Sequence, residues 1–411
     1  MKENRNMIRL ILLVCLFIIC GINVQAQEED VVRKLEDFGF ENIRISCKSD
    51  TVFIAYENIA YRNEVDGLLS VFKILISSQI EKEVVLILLD KKIPEVVVRI
   101  PEEIMKGAIL AGKFPKSAVD KLIFTTSVNQ IYKSVKDTKQ YESSTGRVDV
   151  VIYPHFKIQN VTFDKIWETQ IGLDPAIQMQ LWKGGSFTGQ VKIPFYNDMM
   201  ENEGSYFRTG IIALTQNFAL PKGWQINLGV GLFSNNRQGI TGGVRYITSG
   251  GNIEATLNLG YTGAIYWDNG QCTVYNWSKL NILGSVSYFS DWQGLELKLQ
   301  GGRYVYGDYG VRFDIIRRFK NVGIGLFAAY SDSDGTGGFN FTVPIGLRYY
   351  KRKGYFRVMP ANYFAFEFNE KTGGKYGRQR NGRSYTDSPD INLIEGCFNP
   401  QYLRSGLKIA L

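Results

Sequence analysis

GDYGVRFDIIRRFKNVGIGLFAAY, residues 307–330, reads as strand, turn, strand, yet carries three arginines among its apolar residues. In its second half Val322, Ile324, Leu326, Ala328 and Tyr330 share one phase, and Gly323, Gly325, Phe327 and Ala329 the other. That period of two marks a strand with unlike faces. In the first half Phe313, Ile315 and Phe319 oppose Arg312, Asp314 and Arg318, while Ile316 and Arg317 break the pattern. A strand of this kind suits a water-soluble sandwich or a membrane barrel. What separates the two is which face meets the surroundings.

The same alternation recurs from about Val148 onward. Ile226, Leu228, Val230 and Leu232 alternate with Gln225, Asn227, Gly229 and Gly231; Leu257, Leu259 and Tyr261 oppose Glu254, Thr256 and Asn258; Leu295, Leu297 and Leu299 oppose Glu296, Lys298 and Gln300. The run from Phe339 to Leu347 places Arg348 on its polar phase. Turn clusters such as Pro221-Lys222-Gly223 separate the runs. At roughly 20 residues per strand and loop, the region accommodates about 12 strands. The aliphatic residues are interleaved with Gly, Ala, Asn, Gln, Thr or charge, and aromatics gather at strand ends: Trp182, Phe195, Tyr196, Phe207, Trp224, Tyr266, Tyr288 and Tyr349. Such girdles belong at membrane interfaces. The expected fold is therefore mainly β, a single antiparallel outer-membrane barrel over 148–411 that ends in a C-terminal polar segment. Its apolar phase should face lipid, and Arg312, Asp314, Arg318, Glu254, Lys298 and Arg348 a wet lumen. Arg317 falls on the lipid phase, so it should snorkel at the interface or mark a bulge. A secreted β-sandwich is the competing architecture.

Composition agrees with export. Residues 1–26 place Lys2, Arg5 and Arg9 before an apolar run and end on Val24-Gln25-Ala26, a secretory signal peptide. Ile19 before Cys20 argues against lipidation there, since that position is normally small. No later run approaches a membrane helix. Glycine supplies 42 of 411 residues and aromatics 13%, with a mean hydropathy of −0.12, a balance expected where half of each strand faces water. The net charge of +8 indicates no particular partner. Cys47, Cys272 and Cys397 have no metal-ligand spacing and allow at most one bridge.

Residues 27–102 read differently. Val31, Val32, Leu35 and Phe38 recur at helical spacing before Gly39, then come strand-like runs around Lys48-Ser49-Asp50. A second helix, with Asn63 as cap and Val65, Leu68, Leu69, Phe72 and Ile76 on one face, precedes a second hairpin around Asp90-Lys91-Lys92-Ile93-Pro94. Helix and hairpin, twice over, make a small periplasmic α+β domain. Residues 103–147 read as a connector.

At Gly307-Asp308-Tyr309-Gly310, then Arg317-Arg318-Phe319-Lys320-Asn321 and the glycine-alternating strand to Tyr330, with Gly337-Gly338-Phe339-Asn340 leading to Val343-Pro344-Ile345, the chain resembles the YjbH family of exopolysaccharide-associated outer-membrane proteins. Gly307, Asp308, Gly310, Arg317, Arg318 and Phe319 are the core of that motif. Members compared with it are longer, and this chain has room for one barrel. The resemblance implies a role in capsule or exopolysaccharide assembly or export, and supplies no catalytic residue.

The chemistry read from the residues is sparse. His155 is the only histidine, and no Gly-x-Ser-x-Gly motif nominates a nucleophile for it to serve, so a structural role is expected and the chain is read as a non-enzyme. Asp332 and Asp334 lack the remaining ligands of a calcium loop. No phosphate loop or dinucleotide fingerprint follows a strand, and no metal or cofactor is expected. The basic tail Lys371, Lys375, Arg378, Arg380 and Arg383 suits a solvated loop, because export removes nucleic acid as a partner. Partners expected are outer-membrane lipid, a polysaccharide and other export proteins. A general diffusion porin or structural outer-membrane protein is the alternative; such a pore has no need of the front domain.

Overall fold

In a computed structural model, residues 27–160, 167–199, 205–268, 271–290, 292, 294–332, 334–371, 382–390 and 398–411 are described. The signal peptide, Cys20, Cys397 and Lys375, Arg378 and Arg380 of the basic tail lie outside them. The chain is mainly β, with a five-stranded sheet at the front and a fifteen-stranded sheet behind it.

The front module begins with α1, residues 27–37, which buries Val31, Val32 and Leu35. Gly39 (φ +79°) ends it, which leaves Phe38 past the last helical turn and 38% exposed. The hairpin β1 (Glu41–Lys48) and β2 (Thr51–Glu57) follows, then α2 (Glu64–Ser77), then β3 (Glu83–Asp90) and β4 (Ile93–Ile100). Asn63 caps α2, its side-chain oxygen accepting from the Asp66 amide at 2.8 Å. The α2 crossover makes β2 and β3 parallel.

Residues 103–147, expected as a connector, carry structure that the sequence pattern did not reveal. They hold most of α3 (Glu102–Ala111), the edge strand β5 (Ile123–Thr125) on β4, and α4 (Val128–Tyr132). Met105, Ala108, Leu122 and Phe124 join the main core, while Val128 and Val135 cover the other face of the sheet with Val85, Ile87 and Val97. These elements are too short to show a period, and burial defines them. The C-terminal helix α5 (Pro400–Ala410), part of the expected polar segment, places Leu403 and Leu407 in that same core.

The large sheet is an up-and-down meander of 12 long strands: β6 (Val148–Asn160), β7 (Trp167–Trp182), β8 (Gly185–Asn197), β9 (Arg208–Ala219), β10 (Trp224–Phe233), β11 (Arg237–Ile247), β12 (Ile253–Asp268), β14 (Lys279–Phe289), β15 (Leu295–Arg303), β16 (Tyr309–Phe319), β17 (Val322–Ser331) and β18 (Asp334–Pro344). The short β13 (Gln271–Val274) pairs only with β12. The two ends of the sheet are β19 (Phe356–Pro360), parallel to β6, and β20 (Tyr363–Lys371), antiparallel to β18. Only Ala361 and Asn362 lie between them, so one kinked stretch holds both ends of the sheet. Among the described residues no ladder pairs β6 directly with β18 or β20, though the rings of Phe156 and Phe366 meet at 5.6 Å.

The faces follow the expected phases. Ile324, Leu326, Phe313, Ile315, Leu257 and Leu259 are all exposed, whereas Asp314 and Arg318 are buried. The break at Ile316 and Arg317 is one of residue type and not of geometry. The register of β16 runs without a bulge against both β15 and β17. Ile316 is buried on the inner face, and Arg317 stays on the outer one with its guanidinium over the rings of Phe319 (4.6 Å) and Trp292 (5.6 Å). The strand-end aromatics Trp182, Phe195, Tyr196, Phe207, Trp224, Tyr266 and Tyr288 are exposed, whereas Tyr349 lies past the end of β18 and packs on Tyr61 of the front module, ring centres 4.9 Å apart.

Candidate functional site: the inner face of the large sheet

Charge on the inner face is paired, because every second residue of neighbouring strands projects to the same side. The Arg312 guanidinium donates to Asp314 and to Glu367 of β20, both at 2.7 Å, and lies 3.9 Å from the Phe327 ring centre. Lys298 faces Asp314 across the β15–β16 ladder. Arg318 meets Glu296 at 2.6 Å, with both side chains under 8% exposed. Arg245 holds Glu254 through two bonds of 2.7 and 2.9 Å and reaches Gln225, joining three strands. Arg318–Glu296 and Arg245–Glu254 stitch adjacent strands, Arg312 pairs within β16 and reaches across to β20, and each contact sits where a lone charge would be costly.

Arg348 departs from the expected lumen set. β18 ends at Pro344, so Arg348 sits beyond the strand and bonds Asp66 of α2 instead. Pro344, paired with Tyr363 at the last step of the ladder, marks the end of regular pairing. His155 is held between Asp174 (3.1 Å from Nδ1) and Gln170 (2.9 Å from Nε2), a cross-strand arrangement that occupies both ring nitrogens. Of the motif residues, Asp308 is buried and accepts from the Ser331 hydroxyl (2.5 Å) and the Gly382 amide (2.6 Å), which ties the β15–β16 turn to the chain after β20. Gly307 has φ +95°, and at Gly310 a Cβ would stand 2.5 Å from the Tyr330 carbonyl oxygen. Phe319 faces outward beside Arg317. Asp332 accepts from the Tyr309 amide at 3.2 Å, a turn contact. Cys47 and Cys272 are free thiols.

The alternation did not reveal what covers this face. Residues 382–390 form a strap along it. The Val305 amide bonds the Arg383 carbonyl, Ser234 and Thr386 bond through their backbones, and Tyr385 stacks on Phe233 with ring centres 5.0 Å apart. Asp390 then receives the Tyr153 hydroxyl at 2.7 Å and the Gln178 amide at 3.1 Å. A segment of nine residues that touches β6, β7, β10 and the β15–β16 turn must cross the face those strands share. Glycines provide its seat: a Cβ on Gly260 would fall 1.5 Å from the Tyr385 hydroxyl, and one on Gly229 would be 3.1 Å from the Asp387 carboxylate. The inner-face glycines were the one visible sign that something packs there.

The front module docks on the near rim of the sheet, at the turns after β7, β16 and β18, the first through the Gly184 amide bonding the Lys91 carbonyl. Arg62 donates to the carbonyls of Ile345, Gly346 and Leu347, Asn63 to Asn321 and Tyr363, and Arg352 joins Glu41 of the module to Asp149 of β6. Asn399, which caps α5, also donates to Glu254 at 3.3 Å. Three module carboxyls stand at this junction. Burial, reinforced by Asp90, pushes Glu57 up to about 7, and burial pushes Glu64 and Glu95 up to about 8. Glu95 accepts from Gln225 of β10, so one of these carboxyls touches the large sheet directly.

A family model described as exopolysaccharide biosynthesis protein YbjH matches residues 5–353. That span runs through the front module and β6–β18 and stops before β19. No curated protein and no solved structure matches the chain.

Proposed function

Because the chain belongs to the YjbH family of exopolysaccharide biosynthesis proteins, we propose that it is a non-enzymatic outer-membrane barrel that takes part in assembling or exporting an exopolysaccharide. The observation that carries this reading is the inverted sheet. Twelve long strands of 9–16 residues suffice to span a bilayer at a tilt; they expose aliphatic residues outward and cover ion pairs inward, as a lipid-facing wall demands. The kinked β19–β20 stretch is read as the element that brings the two edges together, since an unpaired edge is untenable in lipid. The front module is then periplasmic, with the surface it turns away from the sheet available to other export proteins.

The strap weighs against the diffusion-porin alternative. A pore for small solutes works by leaving its inner face open, whereas here Tyr385, Asp387 and Asp390 lie along it. A polymer carrier that opens only on engagement has use for such a segment.

The test is a deletion strain of the source bacterium. Loss of surface polymer, or its retention in the periplasm, with unchanged uptake of small solutes is the expected result. Full surface polymer with reduced solute permeability would reverse the assignment. Recovery of the mature protein in the soluble periplasmic fraction would reject the membrane location outright.

A further inference from the structure

Every inner-face arginine so far described faces a carboxylate, and Arg237 does not. It lies at the first position of β11, at the far rim of the sheet away from the front module, and is 4% exposed. Its Nε and Nη2 donate to Oγ1 of Thr262 at 3.2 and 3.0 Å, and Nη2 also reaches the Thr262 carbonyl at 3.4 Å. The titratable groups that its charge meets are the phenols of Tyr306, Tyr266 and Tyr385. Among the described residues no acid stands beside it, and Nη1 has no acceptor. Burying a cation without a counter-charge is costly by several kcal/mol, and an anion that reached it would recover part of that cost.

The space in front of Arg237 is an open cleft of about 520 Å³ lined by Arg237, Ala264, Tyr266, Tyr275, Ser278 and Lys279, a size within the range of small-ligand sites. Lys279 stands opposite Thr262 in the β12–β14 ladder, so its ammonium projects to the face on which Arg237 lies. Lys279 is exposed and makes no ion pair among the described residues. Tyr266 and Tyr275 meet edge to face, 5.5 Å between ring centres at 87°, and are 42% and 53% exposed. The segment that carries Tyr275 is fixed by backbone bonds from Tyr275 to Ala264 and from Ser278 to Thr262, so the aromatic wall is preformed.

Two cations with no acid beside them among the described residues, flanked by aromatic edges and faces, have one ligand chemistry in common. We infer that the far-rim cleft binds a carboxylate-bearing saccharide unit: Arg237 and Lys279 take the carboxylate, and the tyrosines take the C–H face of the ring. A planar guanidinium with a free Nη1 is suited to a carboxylate oxygen, and a pyranose presents an apolar face that an aromatic ring can cover. The inference deepens the export reading and rests on it for the nature of the polymer, which would then be acidic.

The test uses the full-length protein in detergent micelles and measures binding of oligoglucuronate, a neutral oligoglucose of equal length, and inorganic phosphate. Oligoglucuronate should bind and oligoglucose should not. Arg237→Gln should weaken binding about tenfold or more, the value of one charge-assisted hydrogen bond of roughly 1.5–3 kcal/mol. Lys279→Gln and Tyr275→Ala alter exposed side chains that no strand pairing depends on, and each should weaken binding by a few-fold with the heat resistance of the protein unchanged. Equal binding of the neutral oligomer, or oligoglucuronate affinity unchanged in both Lys279→Gln and Tyr275→Ala, would overturn the site. If phosphate displaces oligoglucuronate at equal or lower concentration, the ligand is a phosphate group and the saccharide assignment falls. Normal surface polymer in the deletion strain, with the purified protein still binding oligoglucuronate, would refute the export reading and leave the site standing.

Discussion

In β3 of the front module every residue from Val84 to Leu89 is buried, whereas in β17 of the large sheet Ile324 and Leu326 are exposed and Gly323, Gly325 and Phe327 are covered. The module hides its aliphatic residues between helices and sheet. The large sheet hides its charges and presents its aliphatic residues outward. The same alternating backbone thus supports opposite sorting in the two regions. Ion pairs reflect the same contrast. In the module Arg33–Asp30 and Lys106–Glu102 are exposed contacts of little worth, while Arg318–Glu296 in the large sheet is sealed.

That contrast can be broken most severely at the sealed pair. Arg318→Ala should cost about 3–5 kcal/mol by leaving Glu296 buried and alone; the double replacement Arg318→Met with Glu296→Leu should restore most of it, measured by urea unfolding in lipid vesicles. An export assay alone would not separate this structural effect from polymer contact, so stability is the decisive reading. Leu403→Ala in α5 should destabilise by about 2–5 kcal/mol, and the loss should appear in the front module, whose core Leu403 completes. Amide exchange of α2 and β4 should report it. If those amides are unchanged, the C-terminal helix is only laid on the module.

Leu257→Lys on the outer face should cost about 2–4 kcal/mol in lipid, whereas the same lysine at Leu110, which is 90% exposed on the module, should fall within about 0.5 kcal/mol. Equal effects at both positions would remove the distinction between the two regions. The smallest expected effect is one of pH. Glu57, Glu64 and Glu95 carry carboxyls raised from 4.5 to about 7, 8 and 8. A raised carboxyl stabilises the fold while protonated, so its contribution is full below about 4.5 and is lost as pH rises through 7–8. The melting temperature should therefore fall by a few degrees between pH 6 and pH 9. Glu95→Gln should flatten that slope, and a slope unaltered in the variant would place its cause elsewhere.

Much of this was legible in residues 307–330 and their repeats, because a strand's period of two is a local property that survives without tertiary information. The meander, the exposed aliphatic phase and the inward Arg312, Asp314 and Arg318 all follow from it. The front hairpins and the Asn63 cap were readable for the same reason, each being encoded within a few residues. Arg348 was misassigned because alternation continues in the sequence past Pro344 while pairing does not.

What the tertiary structure alone decided depends on contacts between residues far apart in the chain. The docking of α5 into a core begun at Val31, the addition of β5 to β4, the joining of the sheet's ends at residues 356–371 and the passage of residues 382–390 over glycines of β10 and β12 have no local period to announce them. The isolation of Arg237 is of the same kind. Its sequence neighbours say nothing about the lack of a facing acid among the described residues, since a charge is paired or unpaired only by what the fold brings within a few ångströms. Local periodicity fixed which face each strand turned inward; burial and electrostatics across the closed distances of the fold determined what that face holds.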